Sequence, residues 1–253
     1  ANLVNSDLTR SIPYSSYSME FDGTADYIDM GAGFQYSDLT VSMWINPTTI
    51  AQYERIIQLG RNSGGALIGF GLAWDASSII TGWWSDGSET VTTSNSILST
   101  ATWYHLVMTR DSGGIKIYIN GIDDTLAGGS TGWGDTNDNL ELGRKAGGGQ
   151  YFNGAISNLA IFNSSLTQDQ ILTIYNGGVP NSISSLSPVS WWSLAGDSYF
   201  NGNDWICPDL GSGGNNGTSS GMGGTELVGD GPGSTANGIA TSMNIPGDLK
   251  GDA

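Results

Sequence analysis

One feature limits what this chain can fold into more than any other. In stretch after stretch every second residue is apolar, and each stretch ends at glycine, proline or an Asx-Gly pair. A period of two sends alternate side chains to opposite faces of a strand, so each stretch has one face to bury. Residues 102–111, TWYHLVMTRD, lead through Gly113-Gly114 to Ile115, Ile117 and Ile119 on one face of IKIYIN, and Asn120-Gly121 forms the next corner. That is a strand, a turn, a strand and a second turn. The same period runs through Tyr17, Met19 and Phe21, and through Leu39, Val41, Met43 and Ile45, where Pro47 ends the strand by removing a donor. Further strands are predicted at 55–59, 66–74, 79–84 and 90–93, with Asp86-Gly87 as a hairpin turn, and closing strands at 140–142 and 154–162.

One helix is predicted. Thr167 and Gln170 make a capping box, Asp169 places negative charge in the first turn, Ile171, Leu172 and Tyr175 form the apolar stripe, and Asn176-Gly177 stops it. Residues 1–16 read as a polar N-terminal arm and residues 17–178 as one sandwich. Residues 179–189, with two prolines and four serines, read as a linker, and residues 190–253 as a C-terminal extension. Within the extension a short strand at 190–194 precedes a Gly/Asn-rich stretch with little to bury.

The two ends repeat each other. Leu3-Val4 precedes Ser18-Met19 by 15 residues, and Leu227-Val228 precedes Ser242-Met243 by the same 15, an offset of 224 throughout. A strand-forming unit thus occurs twice, and the extension reads as the first strands of a further unit. Three arrangements follow from this. The tail folds back in cis, docks on the edge of a neighbouring subunit, or is the stub of a further repeat.

Composition removes several functions. With 24 acidic residues against 8 basic ones, the formal charge of -16 repels phosphate backbones and anionic lipid. Nucleic acid and membrane insertion are therefore not expected. The single cysteine, Cys207, has no partner for an internal disulfide, and no Cys/His group suited to zinc is present. The 39 glycines and only 13% charged residues suit short strands joined by tight turns.

Phe21-Asp22-Gly23 with Asp26-Tyr27-Ile28, then Val41 to Pro47, then Trp103 to Val107 leading to Tyr118 to Gly121, and finally Phe152 to Ile156 followed by Leu166-Thr167 stand in a recognisable order. This series resembles the laminin-G-like branch of the concanavalin A-like lectin/glucanase superfamily. The resemblance implies an all-β jelly-roll sandwich of two antiparallel sheets, with one short helix and an extended C-terminal segment. Tandem units with polar spacers that end in a repeated strand such as SMNI also resemble virion surface proteins of marine tailed phages.

Enzymes of the superfamily use two carboxylates on one strand. The five glutamates here, Glu20, Glu54, Glu89, Glu141 and Glu226, include no pair at i,i+2 or i,i+4, and Asp22, which shares a strand face with Glu20, sits at a turn. No catalytic residue is assigned. Asp22, Asp26 and Asn158 offer hard oxygen atoms for calcium, with an Asx turn as the alternative role of Asp22. His105 lies mid-strand without a nucleophile beside it and reads as structural. Sugar binding calls for aromatic faces and planar polar groups on loops; Trp83, Trp84, Trp133, Arg144 and Tyr151, on loops or adjoining them, are the candidates, while packing between subunits is the alternative for Trp133 and Tyr151. Trp44, Trp74 and Trp103 are predicted to be core.

The expected function is a non-enzymatic virion structural protein, displayed on a capsid or tail and attaching to cell-surface glycans. Its expected partners are other virion or filament subunits, including copies of itself in a homo-oligomer or larger assembly. The alternative is a secreted bacterial carbohydrate-binding module or a self-assembling adhesin subunit.

Overall fold

Leu39, Val41, Met43 and Ile45 are fully buried on one face of a nine-residue strand, and Thr40, Ser42 and Trp44 on its other face are buried too. A strand covered on both sides lies in a sheet with a layer above and a layer below. The computed structural model describes residues 17–232 except 61, 64–65, 76, 87–88, 128–136 and 195, and shows what those layers are.

The first half of the chain supplies β1 (Ser18–Asp22), β2 (Tyr27–Asp29), β3 (Leu39–Pro47), β4 (Arg55–Leu59), β5 (Asn62–Ser63), β6 (Ala66–Trp74), β7 (Ile80–Asp86), β8 (Glu89–Ser94), β9 (Tyr104–Asp111) and β10 (Gly114–Ile119). The second supplies β11 (Ile122–Asp123), β12 (Thr125–Ala127), β13 (Leu140–Leu142), β14 (Asn153–Phe162), the helix α1 (Gln168–Tyr175), β15 (Ser190–Trp192), β16 (Tyr199–Phe200), β17 (Trp205–Cys207), β18 (Gly217–Ser220) and β19 (Leu227–Val228). Among the described residues these strands form two sheets. The smaller runs β11-β10-β9-β3-β14-β1-β19, with β15 also on β14, and the larger runs β12-β8-β7-β6-β4-β13-β2-β18-β17-β16, with β5 on β6. Every strand pairing is antiparallel, as the jelly-roll expectation requires.

One core fills the space between the sheets, from Met19, Met43 and Ile156 on one side to Ile57, Phe70 and Leu142 on the other. A second apolar cluster lies on the outer face of the smaller sheet, where Ile171 and Ile174 of α1 pack on Val107, Ala160 and Trp191. The capping box of Thr167 and Gln170 is present and Asn176 ends the helix in the left-handed region. The buried stripe is Ile171 and Ile174, whereas Leu172 is exposed, which corrects the predicted stripe. Leu172 instead lies over Gly121, where an added Cβ would come within 2.8 Å of its side chain.

The tail is where the structure departs most from expectation. Residues 179–189 are not a free linker, since Pro180 and Ile183 are buried against the outer face and line a small cavity with Trp44 and Trp191. Residues 190–228 complete this sandwich and do not open another. β15 pairs with β14, β18 with β2 and β19 with β1. Trp192, Leu194, Trp205, Cys207 and Met222 all enter the one core.

The reason β14 accepts two neighbours on one edge is a bulge. Ser157 stands opposite Trp44 and Ala160 opposite Ser42, so β14 spends three steps where β3 spends two, and Asn158 takes up the extra residue at φ 50°. β1 pairs with the residues before the bulge and β15 with those after it, and the Asn158 amide donates to the Ser193 carbonyl at 2.9 Å. Leu227-Val228 therefore lies in cis beside Ser18-Met19. The repeated strand at Ser242-Met243, like Leu3-Val4, lies outside the described residues.

Candidate functional site

The turn between β1 and β2 builds one end of the sandwich. The Asp22 carboxylate accepts hydrogen bonds from the amides of Thr24 at 2.7 Å, Ala25 at 2.9 Å and Asp26 at 3.2 Å, and from the Thr24 hydroxyl. Asp26, nearly fully buried, accepts in return from the Asp22 amide at 3.0 Å. Partial burial alone would raise the Asp22 pKa, but these donors outweigh it and hold the carboxyl at about 2. The Asx-turn role is thus the one the geometry shows.

Of the three calcium candidates, Asp22 and Asp26 line the cleft beside this turn, where both Asp22 oxygens and one Asp26 oxygen accept hydrogen bonds, whereas Asn158 lies three residues beyond β1's partner Ala155 and lines the helix-covered cavity with Trp44 and Ile174. Among the described residues no group of three or more His, Cys, Asp or Glu is arranged to hold a metal ion.

Beside this turn the returning tail forms an acidic cleft of about 380 Å³, lined by Glu20, Asp22, Asp26, Glu226 and Asp230 together with Asn46 and Asn153. The tail is laid down by the Glu20 amide donating to the Glu226 carbonyl at 2.8 Å and by the Trp103 indole donating to the Asp230 carbonyl at 2.9 Å. The Glu226 carboxylate caps the amides of Gly223 and Thr225 and takes a long bond from the Trp205 indole, and Asp230 accepts from the Ser18 hydroxyl. Glu20 is left as the acid without such a tie, and its pKa is raised by burial first and by Asp230 and Glu226 after that. A carboxyl with a raised folded pKa favours the fold below its unfolded pKa, and that contribution is lost as pH rises. Replacing Glu20 with Gln is therefore expected to raise the melting temperature at pH 7 by roughly 1–3 °C, as for surface charge pairs of ~0.2–1 kcal/mol, and to leave it unchanged at pH 3. Equal shifts at both pH values would refute the repulsion.

A second constellation surrounds Tyr27. The ring of Phe21 meets Phe152 edge-on at 6.2 Å, and an added Cβ on Gly143 would lie 2.4 Å from Phe21, so glycine at φ 87° lets the 143–152 loop close on β1. The next residue, Arg144, then sits with its guanidinium 3.2 Å from the centroid of the Tyr27 ring. Its Nε donates to buried Glu141 at 2.5 Å, and the Tyr151 hydroxyl hydrogen-bonds to it. Tyr27 in turn lines a cleft of about 350 Å³ on the outer face of the larger sheet, floored by β2 and the tail strand β18.

The structure thus brings Arg144 and Tyr151 together, and it separates the other predicted sugar contacts. Trp83 and Trp84 lie within β7 and are both buried, which corrects their reading as side chains free to meet a sugar. Trp84 points into the core and stacks on Phe70 at 5.6 Å. Trp83 points the other way but lies flat over Gly71, whose missing Cβ would fall 2.5 Å from the indole, with the Arg55 guanidinium 5.7 Å from its ring. Trp133 lies outside the described residues. Trp44 and Trp74 are core as predicted, while Trp103 is only half-buried and holds the tail. His105 is structural. It is fully buried, with Nε2 2.9 Å from the Ser42 hydroxyl and the ring packed against both Trp44 and Tyr175, which also stack on each other.

Sequence reasoning missed Tyr27, Asp29 and the β18 residues as surface-cleft candidates. Alternation along 27–29 was visible, but its neighbour, nearly 190 residues away in sequence, carries no local signal.

Residues 22–172 match the family described as the concanavalin A-like lectin/glucanases superfamily. Among solved structures, a protein from Bacteroides ovatus ATCC 8483 whose proposed role is carbohydrate binding aligns with a TM-score of 0.62 at 20% identity, over 86% of this chain and 61% of its own. Domain 4 of the extracellular arabinanase AbnA from Geobacillus stearothermophilus, in complex with arabinotriose, aligns with a TM-score of 0.53 at 21% identity, over 62% of this chain and 76% of that one. The heptameric SAP-like pentraxin of Limulus polyphemus aligns with a TM-score of 0.50 at 17% identity, over 65% and 84%. At these identities the likeness is one of fold. No curated protein matches the sequence.

Proposed function

The chain belongs to the concanavalin A-like lectin/glucanases superfamily, and we propose that it is a non-enzymatic glycan-binding unit presented on the surface of a larger assembly. The observation that carries this reading is Arg144 clamped between Glu141 and the ring of Tyr27, which itself lines an open, hydroxyl-rich cleft. An aromatic ring and a planar donor held rigid beside a concave polar surface are what sugar recognition requires. The carbohydrate-binding role proposed for the Bacteroides protein and the arabinotriose bound by the arabinanase domain support it.

The non-enzymatic part rests on the acids. Of the carboxylates in the acidic cleft, Asp22, Asp26, Glu226 and Asp230 are each engaged in holding the turn or the tail by hydrogen bonds, which supports a structural role for them and not one half of a catalytic pair with Glu20. The finer reading is display on a phage capsid or tail, as part of a homo-oligomer or with other virion subunits, and it is supported by the strand repeated at an offset of 224 residues. A secreted bacterial adhesin or binding module is the second reading, favoured by the Bacteroides likeness. Among the described residues no helix is long and apolar enough to cross a membrane.

A glycan array probed with the purified chain tests the glycan reading, and regular packing of the protein on particles in electron micrographs separates the virion from the adhesin. Arg144→Lys keeps the ion pair with Glu141 but loses the planar stack on Tyr27. It is expected to weaken glycan binding about tenfold or more, the loss of one charge-assisted contact of ~1.5–3 kcal/mol, with little change in melting temperature. Binding to no glycan, or full affinity in the lysine variant, would remove the reading. Release of reducing sugar that Glu20→Gln abolishes would replace it with an enzyme.

A further inference from the structure

The tail strand β18 forms half of the cleft beside Tyr27. In the antiparallel ladder Thr218 stands opposite Asp29 and Ser220 opposite Tyr27, while Ser219 and Ile28 between them point inward and are buried. Tyr27, Asp29, Thr218 and Ser220 therefore share the outer face, and Asn216 continues the row into the preceding loop. The Thr218 and Ser220 hydroxyls and the Asn216 side-chain amide nitrogen have no hydrogen-bond partner among the described residues. Asp29 accepts from the Gly31 amide and from the Asn139 side chain, each at 2.8 Å, which fixes its carboxylate and leaves each oxygen a further lone pair.

This lining has hydroxyls, one amide, one fixed carboxylate and one ring. It contains no lysine or arginine. The cation at its margin, Arg144, is paired with Glu141. On a chain of formal charge -16, sulfate, uronate and sialate groups meet repulsion here with no cation to offset it. A ligand that offers hydroxyl pairs and an apolar sugar face meets none. The cleft volume, about 350 Å³, lies within the ~300–1,000 Å³ of small-ligand sites and holds a short oligosaccharide segment.

We propose that this cleft binds neutral polysaccharide, and that the tail residues Thr218 and Asn216 are part of its recognition surface. The proposal rests on the glycan-binding reading and specifies its ligand and its floor. Native electrophoresis of the full chain through gels containing a neutral glucan, mannan or galactan, or anionic alginate or carrageenan, tests it. Thr218 is exposed, so Thr218→Arg fills the cleft with a long side chain without entering the core, and Ile97→Arg, at a site 71% exposed, serves as the control.

The expected result is retardation by at least one neutral polysaccharide and by neither anionic one, abolished by Thr218→Arg and kept by Ile97→Arg, with both variants melting as the parent does. Retardation by an anionic polysaccharide would overturn the ligand class. Neutral retardation that survives Thr218→Arg would overturn the cleft while leaving the glycan-binding reading standing. Retardation by none of the five would overturn both.

Discussion

Deleting residues 187–253 is expected to leave a chain that does not fold. The tail supplies Trp192, Leu194, Trp205, Cys207 and Met222 to the core, and losing a single buried large side chain of this kind costs ~2–5 kcal/mol. Two or three such losses match the whole stability of ~5–15 kcal/mol that a domain has to spare. The deletion also strips β15 and β19 from the smaller sheet and β18 from β2, which leaves backbone donors and acceptors in three places without partners. Far-ultraviolet circular dichroism and a thermal melt of the shortened chain check this. A cooperative transition near that of the full chain would show that the tail is an appendage after all. Trp192→Ala gives a graded version of the same test. It is expected to lower stability by ~3–5 kcal/mol while leaving a folded protein whose indole contact to the Asn215 carbonyl is gone.

What the sequence made legible was whatever depends on near neighbours. The β3, β4 and β6 strands, the capping box at Thr167 and the structural role of His105 follow from residues within a few positions of each other. Partner choice does not. Period-two alternation says that Met19 and Phe21 face inward, yet nothing in it says that Ser18-Met19 lies beside Leu227-Val228. The tail read as having little to bury because its large side chains are scattered among glycines and asparagines. Its short strands β15 and β17 nonetheless place Trp192, Trp205 and Cys207 in a core built by the rest of the chain. Trp83 was misread as a sugar contact for a related reason, since its strand was legible and the bed that Gly71 provides across the ladder was not. The acids show the same limit. A search for carboxylates at short spacing cannot see Glu20 meeting Glu226 and Asp230, which only the folded tail brings together.

Acid is expected to destabilise the domain mainly through His105. The ring is fully buried against Trp44, 5.0 Å away, and Tyr175, 6.0 Å away, and the polar groups that meet this residue are the Ser42 hydroxyl and the Asn120 side chain on its amide. Burial lowers its pKa from 6.5 to about 3. The unfolded chain takes up a proton below pH 6.5 and the folded chain does not, so this residue contributes fully above 6.5 and the contribution is lost as pH falls toward 3. The loss approaches ~1.4 kcal/mol per pH unit and sums to on the order of 4–5 kcal/mol, a large share of a domain's ~5–15 kcal/mol. Glu20 and Asp26 act in the opposite direction, because burial raises both pKa values and their protonation favours the fold, though Glu20 is exposed and its share is small. Asp22, held at about 2, adds a further loss only below its ordinary 3.8. Of the groups with lowered pKa values, Asp22 and Asp123 lose their contribution only below the ordinary 3.8, so between pH 6.5 and 5 the loss comes from His105. Urea denaturation at pH 7, 6, 5 and 4 is expected to show a steady fall for the parent chain. For His105→Gln, less stable at pH 7 but with nothing to protonate, the line should be nearly flat from pH 6.5 to 5. Parallel lines for the two proteins would mean that the imidazole already takes its proton in the folded state and that its cavity is wetter than the packing around it indicates.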